Sequence, residues 1–204
     1  SMNNYKINNE LRSQIRKRYG FIDTDIVAGI ISRIAPLKGH EFIIDLATKT
    51  QHVLPHLRFL LVGDGELASN LKNEVISRHL SQNVFFCGMV APDEIPKMIN
   101  AMDFVIHPSL REGLARVLPQ SIIMNRRVLT FNLDGVEEVI VNGVSGYKIE
   151  IGNVDALFEQ CIKLCQEEIG KNIDERFRQS LVYEFDSSTM VEQHVNLYSS
   201  FLHS

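Results

Sequence analysis

In the stretch SRIAPLKGHE, Arg33 and Lys38 stand five positions apart, on either side of Pro36 and just ahead of Gly39. An arginine offers a planar fork that matches phosphate oxygens, a lysine offers a mobile point charge, and a glycine lets the main chain approach a ligand closely. Together they suit an anion, and the alternative is a pair of solvated surface charges. A second stretch, SLREGLARVLPQ (109–120), carries Pro119. Proline costs about 3 kcal/mol in a helix interior and little in a first turn, so a helix is expected to begin around 116–118. The N–H groups of 113–117 would then be available to an anion. Glu112 is electrostatically odd beside such a site unless it accepts hydrogen bonds from neutral hydroxyls, which favours a polyol phosphate. Otherwise it offsets the helix dipole or pairs with Arg111 or Arg116. A third stretch, FNLDGVEEVI, sets Gly135 before a short apolar helix, where a sugar could lie. Its Glu137 and Glu138 have an ordinary explanation as acids in a first helical turn.

Other patterns promise chemistry that their context withholds. Gly63, Gly65 and Ala68 in VGDGELA satisfy a dinucleotide-binding fingerprint, but that fingerprint needs an acid closing the next strand, and FFCGM has none. A tight turn opening a helix is the better reading. Asp23 and Asp25 form a D-x-D pair of the kind that holds divalent cations, yet they precede a strand instead of ending one. His52 and His56 have helical spacing with Pro55 between them, so no metal site is expected. His107 closes the apolar run FVIH and reads as a satisfied core histidine. Cys87, Cys161 and Cys165 are odd in number and form no CxxC pair, which suits reduced packing residues and a cytoplasmic setting.

Short apolar runs at 26–34, 57–62, 84–87, 104–106 and 128–131 alternate with amphipathic stretches at 41–50, 66–79, 93–102 and 118–125. A weaker strand follows at 146–151 and a helix at 154–169. Such alternation predicts a doubly wound α/β domain, a Rossmann-like parallel sheet of about six strands with helices on both faces. Its ligand crevice lies beyond the carboxyl ends of the strands, where the turns above fall. We expect an N-terminal segment with one helix (1–24, the helix near 8–18), the sheet domain (25–168) and C-terminal helices (169–204). Leu197, Tyr198, Phe201 and Leu202 should give those helices an apolar end. Ser1-Met2 reads as an expression scar, and the chain as a piece of a longer protein. With 45% apolar residues, a formal charge of −4 and a pI near 6.0, the chain can bury a core but has no basic excess for nucleic acid. No run approaches ~18 consecutive apolar residues, so no transmembrane segment is expected.

The ordered series SRIAPLKGHE, LLVGDGEL, NVFFCGMV, VIHPSLREGL and DGVEEVIVNGVSGY resembles the C-terminal, donor-binding half of GT-B fold retaining glycosyltransferases of the fourth family, group 1. Single motifs are weak, but five in this order are specific. The resemblance implies transfer of a hexose-type sugar from a nucleoside diphosphate sugar to an acceptor, with retained configuration, no protein-bound metal and no cofactor. It implies that Arg33 and Lys38 grip the donor diphosphate and stabilise negative charge on the departing nucleotide. Glu112 would contact the donor sugar, and Gly113, Leu114 and Ala115 would border sugar and phosphate. Val90 would meet the nucleobase.

Gln120 stands where the family carries a second glutamate that accepts bonds from the ribose hydroxyls. An amide keeps one acceptor but loses the charge, which implies a donor affinity weaker by ~1–2 kcal/mol with the geometry intact. Ser121 and Asn125 also replace small residues of the family pattern. The alternative is a non-catalytic interaction module with a degenerate donor site. By the same resemblance an N-terminal acceptor-binding domain is missing, and this fragment alone is inactive. The acceptor is a glycan or a lipid-linked species, and the missing domain could bring a cytoplasmic enzyme to the inner face of a membrane.

Overall fold

Along each central strand, successive side chains enter two different cores. Val27, Leu60, Val105 and Val128 join one cluster, and Ala28, Phe59, Phe104 and Leu129 the other. Period-two alternation with both faces buried requires helices on both sides of a sheet. The computed structural model describes residues 2–186 together with Thr189, Val191 and Ser199. It has six strands, β1 (Ile26–Ile31), β2 (Leu57–Val62), β3 (Val84–Gly88), β4 (Phe104–His107), β5 (Arg127–Phe131) and β6 (Gly146–Ile149). They form one parallel sheet in the order β3-β2-β1-β4-β5-β6. Helices α2 (His40–Thr50), α3 (Ala68–Ser77) and α6 (Val154–Lys163) pack on one face, and α4 (Ile95–Ala101), α5 (Val117–Ile123) and α7 (Glu175–Phe185) on the other. After β3 the chain returns to lay β4 beside β1. The crossovers from these two strands diverge, which opens a crevice at their carboxyl ends.

Helix α1 (Asn9–Arg18) is fastened beneath the opposite edge of the sheet. Arg12 and Arg16 reach Asp103 at 2.6 and 3.2 Å. Arg12 also donates to the carbonyls of Asn100 and Met102, and Arg16 to that of Ala101, so the end of α4 is satisfied by arginines. The D-x-D pair belongs to this edge. Asp25 accepts the Ile22 N–H and pairs with Arg58 at 3.0 Å, closing the turn into β1. All three cysteines are free thiols.

Element boundaries depart from the sequence expectations where special backbone intervenes. β1 ends at Ile31, three residues early, because the following turn leaves the sheet through Pro36 and a left-handed Leu37 (φ 66°). The stretch 93–102 splits into a 3-10 turn (Pro92–Glu94) and α4, with Pro96 in the first turn of the helix. The helix expected over 154–169 ends as α6 at Lys163 and continues as one π turn (Leu164–Glu168). The short helix after Gly135 is a single 3-10 turn, Val136–Glu138. The expected tail at 187–202 lies almost wholly outside the described residues.

The fingerprint glycines have a structural cause. A Cβ on Gly63 would lie 2.0 Å from the Ser32 carbonyl oxygen, and one on Gly65 would lie 2.2 Å from that of Ile34. The Ile34 N–H donates to Asp64 O at 2.9 Å, and the Leu67 N–H returns to Ile34 O at 3.2 Å. These glycines let the second turn press on the first. Gly65→Ala should therefore destabilise the chain by roughly 2–4 kcal/mol. Urea unfolding with and without NADH checks this, and a near-neutral variant, or one rescued by NADH, would return the dinucleotide reading.

His40 opens α2 beneath the same turn and is only 2% exposed. Burial, reinforced by His107 and Lys38, lowers its pKa from 6.5 to about 4. The unfolded chain binds a proton at the ordinary value while the folded chain excludes it. Stability is thus complete above pH 6.5 and declines as the pH falls toward 4. At about 1.4 kcal/mol per pKa unit, the loss between pH 7 and 4.5 is roughly 2–3 kcal/mol. Urea midpoints across that interval should show this slope and lose most of it in His40→Gln.

Candidate functional site

The first and fourth strand-to-helix turns are tied together across the crevice between β1 and β4. The Leu37 carbonyl accepts the Leu110 N–H at 2.8 Å and the Ser109 hydroxyl at 3.0 Å. Gly39, at φ 74°, lies so close to Pro108 that a Cβ there would stand 1.9 Å from the Pro108 oxygen. Only a residue without a side chain fits that contact, so the Lys38 segment and the loop leading to Glu112 move as one unit.

That unit presents three side chains in a chain of contacts. Lys38 Nζ is 2.9 Å from Glu112 Oε1, and His107 Nε2 is 3.0 Å from Glu112 Oε2. The side chains of Lys38 and Glu112 are 21% and 27% exposed, and that of His107 only 4%. The His107 hydrogen bond, opposed by partial burial and assisted by Lys38, holds the Glu112 carboxyl down at about 2. Glu112 is therefore an anion at every physiological pH. The expectation that it pairs with Arg111 or Arg116 is replaced by this arrangement, because the loop turns its side chain toward β4. Arg33 is exposed at the end of β1, and among the described residues it makes no ion pair or hydrogen bond.

Helix α5 begins at Val117, with Pro119 in its first turn. Among the described residues no acceptor takes the N–H groups of 113–117. Ala115 is buried, while Gly113 is exposed and Leu114 half-buried. The fifth turn reaches this loop directly, since a Cβ on Gly135 would lie 3.6 Å from Leu114 Cβ.

Gln120 occupies a different region. It lines a cavity of about 640 Å³ with Pro92, Asp93, Leu114, Arg116 and Tyr5. The loop after β3 thus approaches the first turn of α5, and Val90 on that loop is half-buried against the adjoining core. Val90 is not one of the residues lining the cavity.

Three roles escaped the sequence reading. His107 is buried and satisfied, as a core histidine should be, but its partner is Glu112. Its place at the end of the strand that flanks the crevice, five residues before an acid, was the available signal. Tyr5 and Arg116 enter through tertiary packing that no local pattern announces. Among the described residues no group of three His, Cys, Asp or Glu side chains could hold a metal ion. No described helix is long and apolar enough to cross a membrane.

The sequence model of the family described as glycosyl transferases group 1 matches residues 12–180. N-acetyl-alpha-D-glucosaminyl L-malate synthase of Bacillus anthracis is 26% identical over 187 residues, which cover 91% of this chain and 48% of that protein. Alpha-D-kanosaminyltransferase of Streptomyces kanamyceticus is 31% identical over 135 residues, covering 66% of this chain and 35% of that one. Among solved structures, HepE of Anabaena in complex with UDP-glucose superposes with a TM-score of 0.86 at 27% identity, over 98% of this chain and 55% of that chain. The chain spans about half the length of the first of these curated relatives. A parallel sheet in this strand order, the crevice between β1 and β4, and a family match over 12–180 lead to one statement: the chain belongs to the group 1 glycosyl transferases, and its fold is that of the Rossmann-like C-terminal half of a GT-B structure.

Proposed function

We propose that the chain is the donor-binding half of a retaining glycosyltransferase that takes a hexose-type sugar from a nucleoside diphosphate sugar. The observation that carries this reading is that one crevice holds the Lys38–Glu112 pair and a loop whose N–H groups at 113–117 lack acceptors among the described residues, with Arg33 in the turn that follows β1. The UDP-glucose bound to HepE supports the ligand class. Arg33 and Lys38 bind the diphosphate and stabilise the charge that develops as the nucleotide departs, which is electrostatic catalysis without a protein-bound metal or cofactor. The N–H groups of Gly113, Leu114 and Ala115 lie along phosphate and sugar, and Glu112 accepts from a sugar hydroxyl. Gln120 receives the ribose and Val90 borders the base. An acceptor-binding domain outside this sequence completes the cleft and excludes water, so the chain alone binds donor weakly and transfers nothing.

Gln120 favours a second reading, a non-catalytic member whose donor site has decayed. One titration series separates the two. Calorimetry with UDP, GDP and ADP should find binding by at least one, and silence from all three at millimolar ligand would sink the donor reading. A lost hydrogen bond to a charged group costs about 1.5–3 kcal/mol, so Arg33→Ala and Lys38→Ala should each weaken that binding roughly tenfold to a hundredfold. Gln120→Glu should tighten it by up to about tenfold if the ribose still uses this position. An unchanged affinity in that variant supports the decayed module.

A further inference from the structure

We infer that His107 is a positioning residue of the candidate donor site, fixing one carboxylate oxygen of Glu112 so that the other faces a donor-sugar hydroxyl when phosphate draws Lys38 away. The inference rests on the donor-binding reading and adds to it a residue outside the charged turns.

The Glu112 loop does not orient its own side chain. Residues 108–116 contain no regular structure, and among the described residues the Glu112 N–H has no acceptor. What holds the carboxylate is two contacts of unequal stiffness. Oε1 meets Lys38, the end of a flexible four-carbon stem that is itself a phosphate ligand in the proposed function. Oε2 meets His107, which cannot follow the ligand. His107 is the last residue of β4, paired in register with Thr130 of β5, and its carbonyl also accepts the Thr130 hydroxyl at 3.0 Å. Its side chain is only 4% exposed.

The direction of the hydrogen bond follows from charge. Glu112 is ionised and can only accept, so His107 Nε2 must carry the hydrogen in either protonation state. A bound phosphate that recruits Lys38 therefore leaves Glu112 an anion with one oxygen anchored and one released. A carboxylate held that way accepts from a hydroxyl in one fixed direction. His40 provides the internal contrast. It is equally buried, yet among the described residues its Nδ1 has no partner, and its Nε2 lies 3.4 Å from the Ser32 hydroxyl. His107 directs its ring hydrogen to a partly exposed acid of the site instead of to a core acceptor.

The test compares each nucleotide with its sugar ester. The chain, His107→Leu and His107→Gln are titrated calorimetrically with UDP and UDP-glucose, GDP and GDP-mannose, and ADP and ADP-glucose. Thermal unfolding verifies that each variant is folded. For the nucleotide that binds, His107→Leu should leave its affinity within about twofold and weaken the sugar ester about tenfold. His107→Gln, whose amide N–H replaces the Nε2–H, should restore the ester to within about threefold. Equal weakening of nucleotide and ester assigns His107 a merely structural role and overturns the inference. So does an ester affinity unchanged in His107→Leu, while the donor reading survives. Failure of all three nucleotides to bind the unaltered chain removes the donor reading, and the inference with it. If the leucine variant does not fold, His107→Asn makes the same comparison, because its amide is too short to reach Glu112.

Discussion

The bond between the Leu37 carbonyl and the Leu110 N–H is the constraint on which the site depends. Topology alone brings the ends of β1 and β4 side by side and leaves a crevice between them. It does not say how the two turns lie relative to each other. The Leu37 carbonyl settles that by accepting from both Leu110 and Ser109, and Gly39 settles it again by touching the Pro108 carbonyl. Leu37 adopts a left-handed backbone to make this possible, a conformation that costs a non-glycine residue of order 1–3 kcal/mol. The cost is met by contacts on both sides of the crevice. The turn that carries the cations and the turn that carries the acid are thereby held together as one device.

Within that device Glu112 has two electrostatic tasks. It neutralises Lys38, which half-buried and alone would carry a desolvation penalty. It also stays ionised, because His107 and Lys38 both stabilise the anion. The Lys38–Glu112 pair is partly exposed, so its net contribution to stability is small. Its importance is geometric. A weak pair can be broken without unfolding anything.

The strands were legible as short continuous apolar runs, because both faces of the sheet are buried, and the helices as amphipathic stretches between them. Ends of elements were less legible, since they are set by Leu37, Pro96 and the π turn after Lys163, which no period encodes. The glycine fingerprint shows the difference between a pattern and its cause. Gly63 and Gly65 were visible at once, but their reason is the carbonyl oxygens of Ser32 and Ile34, which only the folded turn brings near. The charged turns were legible from placement at strand ends. The His107–Glu112 bond was not, because the loop between them has no repeating geometry from which a side-chain direction could be read.

Gln120 is best judged by what surrounds it. Its cavity also contains Asp93 and Arg116, and the phenol of Tyr5, whose pKa burial raises. With glutamine the two remaining charges cancel, whereas a glutamate would make the cavity net negative. Arg116 lies one turn before residue 120, and the order Arg then Glu at i, i+4 is the less favourable one on a helix. A neutral amide therefore leaves the cavity without net charge. Among the described residues no hydrogen bond or ion pair joins Gln120 to Lys38, Glu112 or His107. The Lys38–Glu112 and His107–Glu112 contacts therefore stand apart from the residue at position 120.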